Sequence, residues 1–257
     1  CSSDLKGKHI KDVFPHLCPC SPQGIIAAAN PAQVEHFLDA FDGLRVIPWV
    51  GGVYGSDAKV EVLQWRANFV QSCAKLLNEH PRLAGIHINI EPMPSGNKGF
   101  LLLLEEMRKA LPAGKIISVA AYPPPCIWQQ TKELHWDEDY SRKVAALVDQ
   151  ATIMMYDTGL KSPGMYQQQM KDWTREVLSW YAPKEVLLGI PAYEDEGTGY
   201  HDPATENLTN ALLGIHAGLE KPLPISYKGV SIYSEWEMNS TKWKLFQGRF
   251  CAPDFKD

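Results

Sequence analysis

The chain of 257 residues is 45% hydrophobic and 21% charged, enough apolar material to close a large core and too much for a disordered or collagen-like chain. Its 25 basic and 30 acidic residues leave a net charge of -5, so no positive field draws it to nucleic acid or anionic lipid, and a neutral substrate suits it better. The longest apolar candidate, Phe100 to Leu104, is far shorter than the roughly 18 residues that span a bilayer, so no membrane-spanning segment is expected.

At the N-terminus, Cys1-Ser2-Ser3-Asp4-Leu5 shows no periodicity and reads as a non-native scar, with a native start at a lipidated Cys1 as the alternative. Residues 6–257 are then expected to form one domain whose true beginning, with any signal peptide, is missing. The other cysteines, Cys18, Cys20, Cys73, Cys126 and Cys251, are odd in number and scattered, which suits neither a disulfide framework nor a zinc site. Asp12 to Leu17 reads as a strand and Pro31 to Phe41 as a helix. Further strands are expected at Arg45 to Val50, Gly85 to Glu91, Ile116 to Tyr122, Thr152 to Asp157, Val186 to Tyr193 and Gly229 to Tyr233. Between them Val60, Leu63, Ala67, Val70, Ala74 and Leu77 step by three and four, as do Met170, Trp173, Val177 and Trp180, so each set marks a helix burying one face. Strand starts recur about every 31 to 43 residues, the length of a β-helix-β unit, which implies a parallel sheet with right-handed crossovers. The expected fold class is α/β: a (β/α)8 TIM barrel lacking its first strand because the chain is an N-terminally truncated fragment. An open doubly wound sheet fits less well, since no Gly-rich phosphate loop follows an early strand. Asn207-Leu208-Thr209 and Asn239-Ser240-Thr241 fit the glycosylation sequon.

The most informative stretch is Gly85-Ile86-His87-Ile88-Asn89-Ile90-Glu91. Strand alternation sends Ile86, Ile88 and Ile90 to the helical layer and turns His87, Asn89 and Glu91 into the barrel. Barrel interiors are normally filled with branched apolar side chains. Three polar groups there must bond one another or a ligand, because an unpaired buried polar group costs about 1 to 3 kcal/mol. Glu91 ends the strand at the carboxyl mouth, where the active sites of such barrels lie; a polar plug supporting the loop at Pro92 is the plainer alternative.

This segment resembles the fourth-strand signature of glycoside hydrolase family 18, the chitinase-like barrels, whose common form is Asp-Gly-x-x-Asp-x-Asp-x-Glu. Gly85 and Glu91 match outright, while His87 and Asn89 stand in place of the two inner aspartates. Met154-Met155-Tyr156-Asp157 matches the family's sixth-strand Met-x-Tyr-Asp, and Trp49-Val50-Gly51-Gly52 is similar to its third-strand Ser-x-Gly-Gly. Leu188 to Tyr193 resembles the seventh strand and Gly229 to Tyr233 the eighth, with Tyr233 where tryptophan is usual. The motifs keep the family's order across residues 45–236.

The resemblance implies substrate-assisted hydrolysis of a 2-acetamido sugar, in which the protein supplies no nucleophile. Glu91 is then the general acid, and burial in an uncharged pocket is expected to raise its pKa. Asn89 takes the place of the aspartate that orients the acetamide; it accepts the same N–H hydrogen bond and carries no charge. The Asn-x-Glu pair is similar to that of the family 85 endo-β-N-acetylglucosaminidases, and it equally suits a weak or retired enzyme. Tyr156 is assigned to the acetamide oxygen.

Sugars stack on aromatic rings, and Trp49, Tyr122, Tyr193, Tyr233 and Trp236 all lie at or just past expected strand ends, with Tyr233 as the floor. His87, Asp157 and Glu194 complete the expected substrate-binding set. The loop Glu194 to Pro203, with Asp195, Glu196, His201 and Asp202, reads as a solvated or substrate-binding loop. Two other functions remain open: a two-carboxylate glycosidase pairing Glu91 with Glu194 or Glu196, and an inactive carbohydrate-binding barrel. Without His-Glu-x-x-His, a P-loop or Gly-x-Gly-x-x-Gly, no metal, nucleotide or redox cofactor is expected. The expected partner is an oligosaccharide or polysaccharide such as chitin, peptidoglycan or an N-glycan core. Such a substrate places the protein outside the cytoplasm, in an extracellular, periplasmic or cell-surface location.

Overall fold

Short strands alternate with amphipathic helices along residues 5, 7–16, 20–27, 30–127, 131–194 and 200–250, which the computed structural model describes. The chain divides into two compact units, Cys1–Ala120 with Asp139–Gln150, and Ala121–Glu138 with Ala151–Asp257.

The first unit holds β1 (Asp12–Val13), β2 (Arg45–Val46), β3 (Trp49–Val53), β4 (Gly85–Glu91) and β5 (Ile116–Ala121), with helices α1 (Pro31–Ala40), α2 (Leu63–Glu79), α3 (Lys98–Ala110) and α4 (Glu138–Leu147). The strand expected at Arg45 to Val50 breaks at Ile47-Pro48, because proline brings no N–H to a ladder, and it then runs on to Val53. Its course continues through the break: Ile47 N–H donates to Val13 O at 3.0 Å and Trp49 N–H to Pro15 O at 2.8 Å. The run expected from Asp12 shortens to β1 and a bridge at His16, and Leu17 lies outside the described residues. β3, β4 and β5 are parallel neighbours in chain order, with Trp49 opposite His87, Gly51 opposite Asn89 and His87 opposite Ser118.

Gly51 explains itself by this register. A Cβ there would stand 1.8 Å from the backbone oxygen of Asn89, and its φ of +148° is one that L side chains rarely adopt. In α2 the expected stripe is partly displaced. Val70 and Leu77 are buried, but Leu63 and Ala67 face solvent, and Trp65, Phe69, Cys73 and Leu76 take the core face. The two aromatic rings bury far more apolar area than the alanines the periodicity favoured, and area decides which face turns inward. Asn30 and Asn97 start α1 and α3 by accepting backbone N–H groups at Ala32 (3.0 Å) and Phe100 (2.8 Å).

The second unit holds β6 (Gln150–Met154), β7 (Glu185–Pro191) and β8 (Tyr227–Tyr233), the helices α5 (Pro163–Trp180), α6 (Leu208–Gly218) and α7 (Ser240–Phe250), and a 3-10 turn at Glu235–Glu237. Its strands are also neighbours in chain order, and β7 and β8 run parallel with Gly189 opposite Ser231 and Pro191 opposite Tyr233. The strand expected at Thr152 to Asp157 starts and stops earlier, and beyond it Asp157 adopts φ 59°. Gly189 lies against β6, where an added Cβ would meet Ile153 O at 2.4 Å and the Tyr156 ring at 3.2 Å. Met170, Trp173 and Val177 are buried as the period of α5 requires, and Trp173 Nε1 donates to Pro124 O at 2.9 Å.

Both sequon asparagines cap helices. Asn207 Oδ1 accepts from Asn210 N–H at 3.1 Å while its Nδ2 donates to Pro203 O (3.0 Å) and Ala204 O (3.2 Å). Asn239 Oδ1 accepts from Thr241 and Lys242 N–H at 3.0 and 2.9 Å. Cys20 and Cys126 are free thiols, whereas Cys1, Cys18 and Cys251 lie outside the described residues. Among the described residues no helix is long and apolar enough to cross a membrane.

Candidate active site

β4 is pinned by its isoleucines. Ile86, Ile88 and Ile90 are buried, each contributing on the order of 1.5 to 3 kcal/mol of apolar transfer, and their inward packing dictates that His87, Asn89 and Glu91 share the opposite face. His87 is buried, Asn89 half-buried and Glu91 exposed. Asn89 Oδ1 is itself buried and accepts no hydrogen bond, a state that costs about 1 to 3 kcal/mol unless a ligand relieves it. The expectation that the Glu91 carboxyl is buried is corrected: it is the last residue of β4, opposite the equally exposed Val53, and stands at the rim.

From His87 runs a continuous polar chain that strand alternation does not reveal. His87 Nδ1 lies 2.8 Å from Ser118 Oγ, and Ser118 Oγ donates to Gln150 Oε1 at 2.8 Å. Gln150 Nε2 donates to Asp12 Oδ2 at 2.9 Å, and Arg45 grips the same carboxylate through Nε (2.5 Å) and Nη2 (2.7 Å). Phe14 covers the imidazole at a ring separation of 4.5 Å, and burial pushes the His87 pKa down to about 3, so the ring is neutral. Trp49, half-buried on β3, packs against His16 at 5.0 Å.

In the second unit the residues at or just past the ends of β6, β7 and β8 gather into one aromatic cluster. Tyr156 stacks on Tyr233 at 5.5 Å and 12°, Tyr193 meets both rings edge-on at 6.0 and 5.7 Å, and Trp236 extends the cluster from Tyr233 at 6.1 Å. Tyr233 and Trp236 are 39% and 72% exposed, which leaves ring faces available to a ligand. Tyr122, expected at the same mouth, is only 6% exposed and packs edge-on to Trp136 at 5.9 Å.

Asp157 accepts a short hydrogen bond from the Tyr193 hydroxyl, and burial together with that carboxylate drives the phenol pKa upward. The turn bearing Asp157 is held by a residue the sequence reading missed. Glu206 Oε1 accepts from Thr158 N–H (3.1 Å), Thr158 Oγ1 (2.9 Å) and Gly159 N–H (3.1 Å). Its side chain is 0% exposed, and burial first, then the Asp157 charge, raise its pKa to about 7 against the pull of the Thr158 and Gly159 donors. His201 is also buried, stacked on Tyr193 at 4.2 Å with Nδ1 3.4 Å from Asp157 Oδ1, so this end of the loop expected to be solvated is core instead. Only the clustering of His201, Asp202 and Glu206 hinted at this, and their loop offers no periodicity to separate buried from solvated groups.

Glu194 is exposed and its carboxylate pairs with Lys242 Nζ at 2.7 Å, which lowers its pKa, while the same ammonium donates to Ala192 O at 2.8 Å. Asp195 and Glu196 lie outside the described residues. No group of three or more His, Cys, Asp or Glu side chains among the described residues could hold a metal ion.

Comparison with known proteins follows the same lines. The spore cortex-lytic enzyme SleL of Bacillus cereus superposes with a TM-score of 0.68 at 12% identity, over 95% of this chain and 69% of its own. A chitinase from Chromobacterium violaceum gives 0.66 at 16% identity over 96% and 93%, and the chitinase domain of the spore coat protein CotE from Clostridium difficile gives 0.53 at 23% over 72% and 60%. Comparison with curated proteins gives no match. The likeness shows the fold, the α/β architecture of parallel strands and helices found in these barrels. The model of Glycosyl hydrolases family 18 matches residues 25–247, and the chain therefore belongs to that family and is a glycosidase.

Proposed function

We propose that the chain hydrolyses β-linked N-acetylhexosamine glycans, of chitin, peptidoglycan or N-glycan type, with retention through the substrate's own acetamide. The observation that carries this reading is Asn89, a side-chain carbonyl buried without a partner two residues before a carboxyl at the rim of β4. Glu91 donates its proton to the glycosidic oxygen as the bond to the anomeric carbon breaks, and the acetamide oxygen closes on that carbon to form an oxazolinium ion that keeps its N–H. Asn89 Oδ1 accepts the acetamide N–H during this step. Water then opens the oxazolinium ion at the anomeric carbon, giving its proton to the Glu91 carboxylate, so the cycle ends where it began. Glu91 is exposed in the free protein, and its desolvation comes with the bound sugar.

Tyr156 donates to the acetamide oxygen. Tyr233 and Trp236 offer ring faces, and Trp49, Asp157, Tyr193 and Glu194 complete the binding set, while His87 and Tyr122, both buried, support it from the core. Asn89 and Glu91 keep the Asn-x-Glu arrangement that resembles family 85. The names chitinase and spore cortex-lytic enzyme borne by similar structures make chitin oligomers and cortex-like peptidoglycan the first substrates to try. Polymers of this kind lie outside the cytoplasm, and the same location is proposed for the enzyme.

The test is hydrolysis of chitooligosaccharides, peptidoglycan strands and N-glycan cores by the wild-type chain beside Glu91→Gln and Asn89→Asp. Glu91→Gln is expected to lose at least about 100-fold in kcat. Unchanged hydrolysis in that variant removes the assigned acid, and glycan binding without turnover in the wild type favours a binding barrel. A trapped glycosyl adduct on Glu194 or Glu196 favours the two-carboxylate route, whereas tight inhibition by an oxazoline mimic favours the acetamide.

A further inference from the structure

A strand continued past Met154 would send Tyr156 and Asp157 to opposite faces, and alternation groups Asp157 with Ile153 and Met155, both fully buried, on the side away from Tyr156. The chain does otherwise. Tyr193 meets the Tyr156 ring edge-on at 6.0 Å and donates its hydroxyl to Asp157, so one tyrosine engages both neighbours, and the Asp157 side chain is 37% exposed. The reversal lies in the backbone. Asp157 takes φ 59°, a left-handed conformation that few residues other than glycine adopt, though aspartate tolerates it better than most. Such a conformation persists only where the surroundings enforce it.

The surroundings converge on one buried carboxylate. Glu206 captures the donors of the two residues that follow Asp157: Thr158 N–H through both oxygens at 3.1 Å, Thr158 Oγ1 at 2.9 Å and Gly159 N–H at 3.1 Å. Thr158 Oγ1 accepts in turn from Leu160 N–H at 3.2 Å, and Gly159 N–H also reaches Tyr200 O at 2.8 Å. Glu206 is itself fixed, because its N–H donates to Asp202 O at 2.6 Å and the next residue, Asn207, caps α6.

We propose that Glu206 is a positioning residue for glycan binding: by holding Thr158 and Gly159 it keeps Asp157 left-handed and so delivers the Asp157 carboxylate to the sugar on the side of Tyr156. Asp157 Oδ1 then stays with the Tyr193 hydroxyl, with His201 Nδ1 3.4 Å away, and the exposed part of the carboxylate is left for the ligand. The inference rests on the place of Asp157 in the proposed binding set. It adds a residue that touches no sugar, since the Glu206 side chain is 0% exposed.

Calorimetry tests it with chitooligosaccharides and peptidoglycan glycan strands, on the full chain carrying Glu91→Gln to block turnover. Glu206→Ala is expected to weaken binding about tenfold, and Glu206→Gln, whose amide oxygen can take the Oε1 place, is expected to stay within about threefold of the parent. When Asp157→Ala is already present, Glu206→Ala is expected to cost less than about twofold, because no carboxylate is left to deliver. Thr158→Ala is a milder cut in the same network, and it decides the matter if Glu206→Ala does not fold. Its loss is expected to be about threefold in the parent and to vanish in the Asp157→Ala chain. Equal losses in the two backgrounds mark Glu206 as merely structural and overturn the inference while the functional reading stands. A parent that binds neither glycan refutes the functional reading and the inference with it, and binding that ignores Asp157→Ala removes Asp157 from the set and leaves Glu206 nothing to position.

Discussion

Glu206 offers the sharpest test of how the second unit is held, because two substitutions separate its charge from its hydrogen bonds. Its Oε1 receives Thr158 N–H, Thr158 Oγ1 and Gly159 N–H at 2.9 to 3.1 Å and Oε2 shares the Thr158 N–H at 3.1 Å, so Glu206→Gln keeps an acceptor for each of the three donors if the amide oxygen takes the Oε1 place. Glu206→Ala removes the carboxylate acceptor of Thr158 N–H and Thr158 Oγ1 in a site with no exposure, at about 1 to 3 kcal/mol for each group not reached by water, while Gly159 N–H keeps Tyr200 O at 2.8 Å. The charge behaves differently. The pKa is raised from 4.5 to about 7, so between these values the folded chain holds a proton that the unfolded chain has released. Stability is then highest below the unfolded value, falls as pH rises through the window and is level above about 7, a total of roughly 3 kcal/mol. Glu206→Gln mimics the neutral form and is expected to match the wild type near pH 4.5 and to exceed it by about 2 to 3 kcal/mol at pH 8, whereas Glu206→Ala is less stable at both. Urea unfolding followed by tryptophan fluorescence across this range reads all three curves. A Glu206→Gln curve that falls with pH as steeply as the wild type would refute the assignment of the charge to this residue.

Gly51→Ala places a methyl carbon 1.8 Å from Asn89 O, and the strands must part there; a loss of about 3 kcal/mol in urea unfolding is expected, and a loss below 1 kcal/mol would show that the register yields easily. Tyr193→Phe removes the hydroxyl that donates to Asp157 and is expected to cost about 1.5 to 3 kcal/mol, the range for a hydrogen bond to a charged group, measured in the same assay. No change in the unfolding midpoint would mean that water replaces the phenol at no cost.

The alternation in Gly85 to Glu91 could be read directly, because isoleucines at every second position leave the intervening side chains one face to occupy, and the strand has the bounds the pattern implies. Period alone was a weaker guide in α2, where Trp65 and Phe69 outweighed Ala67 and Ala74 for the core. What could not be read was the company those side chains keep. The bond from Gln150 to Asp12 joins residues 138 apart in the chain, and nothing local at either position announces the other. Glu206 and His201 were hidden for a related reason: an acidic loop looks solvated until the groups that bury it are known, and here they come from the turn after β6 and the ring of Tyr193. The exposure of Glu91 follows from its place as the last residue of β4, whereas the sequence reading expected a pocket there.

The two capping asparagines carry a consequence for any host that attaches N-linked sugars. A glycan replaces one amide proton, and at Asn207 the amide nitrogen already donates to Pro203 O and Ala204 O, so the modification competes with the turn at Pro203-Ala204 that leads into α6. Asn239 is exposed and caps through its oxygen, which a linked sugar leaves in place. Two tripeptides that satisfy one rule therefore differ in what an oligosaccharyltransferase would do to them: decoration at the later one leaves its bonds intact, and decoration at the earlier one disturbs the turn that leads into its helix.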